Sequence, residues 1–356
     1  MSETVNIGEI ANRISEEIFK FFGWQVHEKH DENFSCSNPQ HTIKQKVSQP
    51  SLAALSKKTT TKTPAKPVEP KQKKTHPGDV VFNYIDPYLK ARIYLHTDLK
   101  SYAKESISVT KLRTAFESLA MTVDCARQSA EWRAKYSVPA DEKFYVRGLL
   151  FVHNHDGKFH EKFDKVVEST NLGTIPIAAN VYIHFLGPHD IARLYTIAND
   201  IVRLKYQKTL PEEYSFYHPD LVLWHRKGDV FAQPATIENL TAPYFIIVYE
   251  QEEKSPPGYL VYYNRQGNSV EEFQYFLDSL SRYQMLEQGK LIRIRMVSKH
   301  LDENWHSNFK SAKEKYAKDW GFDKSRIKVL DAIGINTVTS VASAWSAPDF
   351  GWREPK

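Results

Sequence analysis

The sequence is poor in cysteine, with only Cys36 and Cys125 in 356 residues, and neither has a partner at CxxC spacing. One pair cannot make a disulfide scaffold, and the scarcity fits a reducing compartment. Long apolar runs are also missing, since none approaches the roughly 20 residues that a membrane-crossing helix requires. The first residues lack the basic-then-apolar layout of a secretory leader, so the expected location is the cytoplasm, without membrane contact. A large excess of one charge is absent as well: the total of +5 is too small to argue for nucleic-acid binding by itself. What remains is the make-up of an ordinary folded protein, 41% hydrophobic and 26% charged, with length enough for two domains.

The charge is unevenly placed. Between His41 and Lys74 nine lysines stand against one acid, Glu69, among Ser, Thr, Gln and Pro. So little apolar surface does not offset the entropy of ordering the chain, and residues 31–75 are expected to form a flexible basic insertion. Before it, Ile7, Ile10, Ile14, Ile18 and Phe21 recur at helical spacing, predicting a first helix over about residues 5–22 with Gly23 as its cap, then a short strand. After it, residues 78–85 and 92–97 read as two strands of an antiparallel hairpin turned at Asp86-Pro87. A long helix from Ser108 to about Trp132, a strand over 144–152, an apolar run over 175–186 and a helix over 190–205 capped by Asp190 follow. This order predicts an α/β layer fold with a mixed sheet flanked by helices over residues 1–30 and 76–209. Residues 220–356 predict an α+β domain, with strands at 221–225, 244–250, 259–263, 291–297 and 327–330 and helices at 270–286 and 304–320. No internal repeat is visible between the halves, and no chemistry can be read from the second.

Chemistry is concentrated at the hairpin. Phosphodiester hydrolysis draws on a divalent cation, and hard cations demand oxygen ligands, so carboxylates must converge. Asp79 lies at the start of the first strand and Asp98 at the far end of the second, ends that an antiparallel hairpin makes neighbours. Lys100, two residues on, shares the face of Asp98. An ammonium there can orient the attacking water or stabilise the transition state.

The sequence Gly78-Asp79, a hairpin, then Asp98-Leu99-Lys100 resembles the PD-(D/E)xK nuclease superfamily, which includes restriction endonucleases, Holliday-junction resolvases and anti-phage nucleases. The resemblance covers about residues 5–152 and departs where Gly78 separates Pro77 from Asp79. It implies a restriction-endonuclease-like core, Asp79 and Asp98 as ligands of Mg2+ (or Mn2+), and Lys100 as the catalytic lysine. Many members add a glutamate from the first helix. Glu17 sits at the edge of that helix's apolar face, with Glu9 and Glu16 on the other side. The implied function is a metal-dependent endonuclease on nucleic acid, with DNA as the leading substrate and a role in anti-phage defence by analogy. Two alternatives are a non-catalytic nucleic-acid-binding or assembly protein on the same fold, and a ribonuclease toxin. Ser101, Tyr102 and Lys104 follow the motif as phosphate contacts or as an ordinary loop. A homodimer would bring two sites to two strands, and the C-terminal half is the expected seat of a partner protein.

Three further clusters draw attention. His27, His30, Cys36 and His41 carry atoms that zinc favours, but HxxH-x5-C-x4-H is not a standard structural-zinc pattern, and they read as part of the polar segment. His153-Asn154-His155-Asp156 ends a strand before an Asp-Gly turn and lacks the layout of an HNH nuclease. Phe273, Tyr275, Phe276 and Tyr283 read as core rather than as a base-stacking platform.

Overall fold

A computed structural model describes residues 18–43, 71–103, 105–154, 160–218, 234–250, 256–298 and 300–338. The first helix lies outside the described residues except for its last turn. There Gly23 takes a φ of 76° and caps the turn, as its position predicts. Trp24 leads into β1 (Gln25–Val26).

The flanks of the basic segment are ordered, contrary to expectation. β2 (Glu32–Ser35) pairs antiparallel with β5 (Thr75–Gly78), and β3 (Thr42–Ile43) with β4 (Lys71–Gln72). Phe34 anchors them. It is 1% exposed and packs in one core with Leu112 and Trp132, a burial that stabilises by about 1.5–3 kcal/mol. Residues 44–70, which hold six of the nine lysines, lie outside the described residues.

β6 (Val80–Asp86) and β7 (Ala91–Tyr102) form the expected hairpin. The Asp86 carboxylate accepts from the amides of Tyr88 and Leu89, both at 2.9 Å, and so shapes the turn. The long helix breaks in two. Ser108 caps α1 (Val109–Ala126), and Ser129, accepting from the Trp132 amide, starts α2 (Ala130–Lys135) afresh. β8 (Phe144–Asn154), α3 (His160–Ser169) and β9 (Ile183–Leu186) follow, so that only the end of the 175–186 run is strand. In α4 (Pro188–Tyr206) the cap position is Gly187, and Asp190 accepts from the Gly187 amide at 3.0 Å, acting from inside the first turn.

The strands β1-β6-β7-β8-β9 make one sheet, antiparallel across the first two pairings and parallel across the last two, with α1 to α3 in the crossovers. This is a restriction-endonuclease-like fold, and a further α+β region follows it. That region begins at β10 (Ser215–Phe216), earlier than residue 220. It continues with α5 (Ile237–Thr241), β11 (Tyr244–Tyr249), β12 (Gly258–Tyr263), α6 (Val270–Arg282), β13 (Leu291–Met296), α7 (Trp305–Asp319), α8 (Lys324–Asp331) and β14 (Gly334–Thr337). The strand expected at 327–330 is helix, because Asp323 accepts from the Arg326 amide at 2.8 Å and caps α8. The strand expected at 221–225 lies outside the described residues.

The second sheet has the order β10-β11-β12-β13-β14, again antiparallel twice and then parallel twice, with helices in the same two crossovers. The halves therefore repeat a topology that their sequences do not advertise. They also share a core, in which Phe19, Trp24 and Phe82 join one buried cluster with Phe216, Ile247 and Tyr262. Phe273 and Phe276 of α6 are buried in a separate cluster of the second half, whereas Tyr275 is exposed. No helix among the described residues is long and apolar enough to cross a membrane.

Candidate active site

The hairpin register sets the site. Val80 pairs with Thr97, the last pair at that end of the β6–β7 ladder, so Asp79 and Asp98 are the next residue on each strand. Asp98 does not end its strand. β7 runs on to Tyr102 because β8 keeps pairing with it, through Lys100 with Val152 to Tyr102 with Asn154.

The two carboxyl groups converge there, close enough for the charge of Asp98 to act on Asp79. The Leu99 amide donates to Asp79 Oδ2 at 2.7 Å and fixes that carboxylate. Burial, and then the negative charge of Asp98, push the Asp79 pKa up to about 7. Lys100 Nζ forms an ion pair with Asp98 Oδ1, placing both side chains on one face as the period of two requires. Burial works against the ammonium, but Asp98 and then Asp79 outweigh it and hold the Lys100 pKa above its ordinary value. The Asp98 side chain is 15% exposed and that of Lys100 35%, so the cluster is sheltered but reachable from solvent.

Asp79 is held from behind. The fully buried His96 on β7 has Nε2 at 3.0 Å from the Pro77 carbonyl and Nδ1 at 3.2 Å from Trp132 Nε1. The indole N–H can only donate, so Nδ1 accepts and Nε2–H donates to Pro77. The intervening glycine has a reason here: a Cβ on Gly78 would stand 2.6 Å from His96 Cε1. Only glycine lets β5 pass the ring and deliver Asp79.

Two acidic groups pressed together in a buried place favour a proton or a cation between them. Their donor set is all oxygen, which fits a magnesium- or manganese-class ion. Of the other expected residues, Ser101 and Tyr102 form the half-buried end of β7, not a loop, and Glu17 and Lys104 lie outside the described residues. His153 and Asn154 are buried within β8, with His155 and Asp156 outside the described residues.

Sequence reasoning missed Lys73. It is 8% exposed, donates to Ser118 Oγ at 3.1 Å, and is close enough to Asp98 and Lys100 for their charges to act on it. Burial lowers its pKa. Its place in a lysine-rich stretch hid it, because nothing local separates a buried lysine from its solvated neighbours.

In the second sheet the ladder pair matching Val80 and Thr97 is Tyr244 with Tyr263. One residue further out stand Pro243 and Asn264, joined by an Asn264 amide to Pro243 carbonyl bond of 2.8 Å, and Gln266 stands where Lys100 does in the first. None is a carboxylate or a lysine.

No curated protein and no solved structure matches the chain. The family model described as GAPS4 protein PD-(D/E)XK nuclease domain matches residues 1–190, which include the whole of the first sheet with Asp79, Asp98 and Lys100. That match spans more than half of the 356 residues, and the chain belongs to this nuclease-domain family.

Proposed function

We propose that the chain is a divalent-metal-dependent endonuclease that hydrolyses DNA in the cytoplasm, with Asp79 and Asp98 as metal ligands and Lys100 at the scissile phosphate. The observation that carries this reading is the convergence of two carboxylates and a lysine at one end of the β6–β7 ladder, where Asp98 and Lys100 stay partly exposed. A bound magnesium or manganese ion would supply Lewis acidity and a more acidic water. The chain does the positioning. The Leu99 amide orients Asp79, and Asp98 keeps Lys100 protonated, so that Nζ donates to an attacking water or a phosphate oxygen.

The lysines of residues 41–74 support a nucleic-acid substrate, since each phosphate they neutralise releases counterions. The resemblance to a superfamily that includes anti-phage nucleases supports a role as an anti-phage effector. Pro243, Asn264 and Gln266 support a non-catalytic second sheet, available for recognition or for a partner. Cutting both strands of a duplex takes two sites, which a second copy of the chain supplies.

The test is incubation of wild type and Asp98→Ala with plasmid, single-stranded DNA and RNA, each with magnesium, manganese or EDTA. Cleavage of DNA that needs metal and is lost in the variant is the expected result. Cleavage confined to RNA would make the chain a ribonuclease. No cleavage by wild type under any condition would favour a binding or assembly role.

A further inference from the structure

Away from the candidate active site, four metal-ligating side chains from three parts of the chain meet in the interior. They are Cys36 and His41 on either side of the turn after β2, His76 on β5, and Cys125 at the end of α1. Their donor atoms all lie within 4.8 Å of one another. Zinc–sulfur bonds near 2.3 Å and zinc–nitrogen bonds near 2.0–2.1 Å give a tetrahedron with edges of about 3.8 Å between two sulfurs and about 3.5 Å between sulfur and nitrogen. The observed separations are 3.8 Å between the two Sγ atoms, 3.5 Å from Cys36 Sγ to His41 Nδ1 and 3.4 Å from Cys125 Sγ to the same nitrogen. A disulfide would need its sulfurs about 2.05 Å apart.

The surroundings prepare both imidazoles as ligands. His41 Nε2 lies 3.2 Å from Asp124 Oδ2, which also accepts from Asn38 Nδ2, so His41 carries its proton on Nε2 and turns the Nδ1 lone pair to the sulfurs. His76 Nδ1 lies 3.2 Å from Thr122 Oγ1, whose own proton goes to the Ser118 carbonyl, so Nδ1–H donates there. His76 Nε2 is buried and has no hydrogen-bond partner among the described residues. A buried lone pair without a donor calls for one, and a cation would meet that need.

We infer that Cys36, His41, His76 and Cys125 hold one tetrahedral transition-metal ion, zinc by the softness of the donors, in a structural site separate from the nuclease centre. Binding releases one proton from each thiol, and two thiolates with two neutral imidazoles leave a Zn2+ centre without net charge, as burial favours. Four protein ligands leave no position for water or substrate. The ion fastens the chain on both sides of residues 44–70 to α1, and only Pro77 and Gly78 lie between its ligand His76 and Asp79. It therefore steadies the strand that delivers Asp79.

The full-length chain, purified under reducing conditions without chelator, is to be analysed for metals by mass spectrometry. One equivalent of zinc per chain is expected, released by a mercurial thiol reagent. Replacement by Co(II) is expected to give the visible bands of a tetrahedral ion and thiolate charge-transfer bands. Cys125→Ser loses the metal. Because that variant can also fail to fold, Cys36→His provides the second test: it retains one equivalent, and its charge-transfer intensity falls by about half, as loss of one of two thiolates requires. Asp98→Ala keeps the full zinc content, which separates this site from the nuclease site whether or not the wild type cleaves DNA. Folded wild type with two free thiols, no zinc and no tetrahedral cobalt spectrum would overturn the inference. So would a Cys36–Cys125 disulfide, or zinc that departs with Asp98.

Discussion

Above pH 7 the Asp79 carboxyl gives up its proton beside Asp98 in a largely buried place, and the metal-free protein bears the cost. Asp79→Asn removes that charge while its side-chain oxygen still accepts from the Leu99 amide. In EDTA at pH 8, urea unfolding is expected to show the variant more stable by about 1–3 kcal/mol, with cleavage abolished. The sign follows from a carboxyl whose folded value lies above its ordinary 3.8. Wild type loses stability relative to the variant as pH rises from 3.8 to 7, so the gap closes again toward pH 4. Lys100→Met should keep the fold and lower the cleavage rate roughly 10²–10⁴-fold in a single-turnover assay, the range for loss of a positioned proton donor. The convergence of Asp79, Asp98 and Lys100 was legible in the sequence because strand period and hairpin geometry are local rules. The proposed zinc ligands were not. Cys36 and His41 stood out, but His27 and His30 were grouped with them by nearness in sequence, whereas folding supplies His76 and Cys125 from far along the chain.

At the scale of elements, the path of β5 past His96 is the tightest constraint on the site. Gly78→Ala drives a methyl against a ring locked between Pro77 and Trp132. The cost is about 1–3 kcal/mol of overpacking, read from thermal unfolding, and cleavage falls because Asp79 must shift with the strand. Element types were read correctly where periodicity ran long, as in β6, β7, β8 and α6. They failed where a cap decided the matter. Asp323 made a helix of residues predicted as strand, and Ser129 divided a helix predicted as continuous. The repeated topology of the two sheets escaped notice because it resides in strand order and direction, which unrelated sequences can share.

For the molecule as a whole, the shared core and the Asp200 network join the halves. Arg295 of β13 donates to both Asp200 oxygens from α4, at 2.7 and 3.0 Å, and Tyr262 donates to one of them at 3.2 Å. Asp200→Ala leaves the largely buried Arg295 guanidinium without its carboxylate, and a loss of about 2–4 kcal/mol is expected in a single calorimetric transition rather than two. Acid acts on both halves as well. Burial lowers the pKa of His184 and of His218 to about 4 from an ordinary 6.5. The unfolded chain therefore binds these protons first, and the two histidines' contribution to stability, complete above pH 6.5, is lost as pH drops to 4. Urea titrations of Asp79→Asn, which lacks the opposing carboxyl, should show across that window a slope of up to about 1.4 kcal/mol per pH unit for each histidine.

The pairing of Ile43 with Lys71 has a further consequence. Because these residues face each other across a two-stranded ladder, the two chain ends that flank residues 44–70 stand side by side, at the spacing a hairpin turn spans. A two-residue Asn-Gly turn could take the place of that segment, or a foreign peptide could be grafted there, with the catalytic scaffold left as it is.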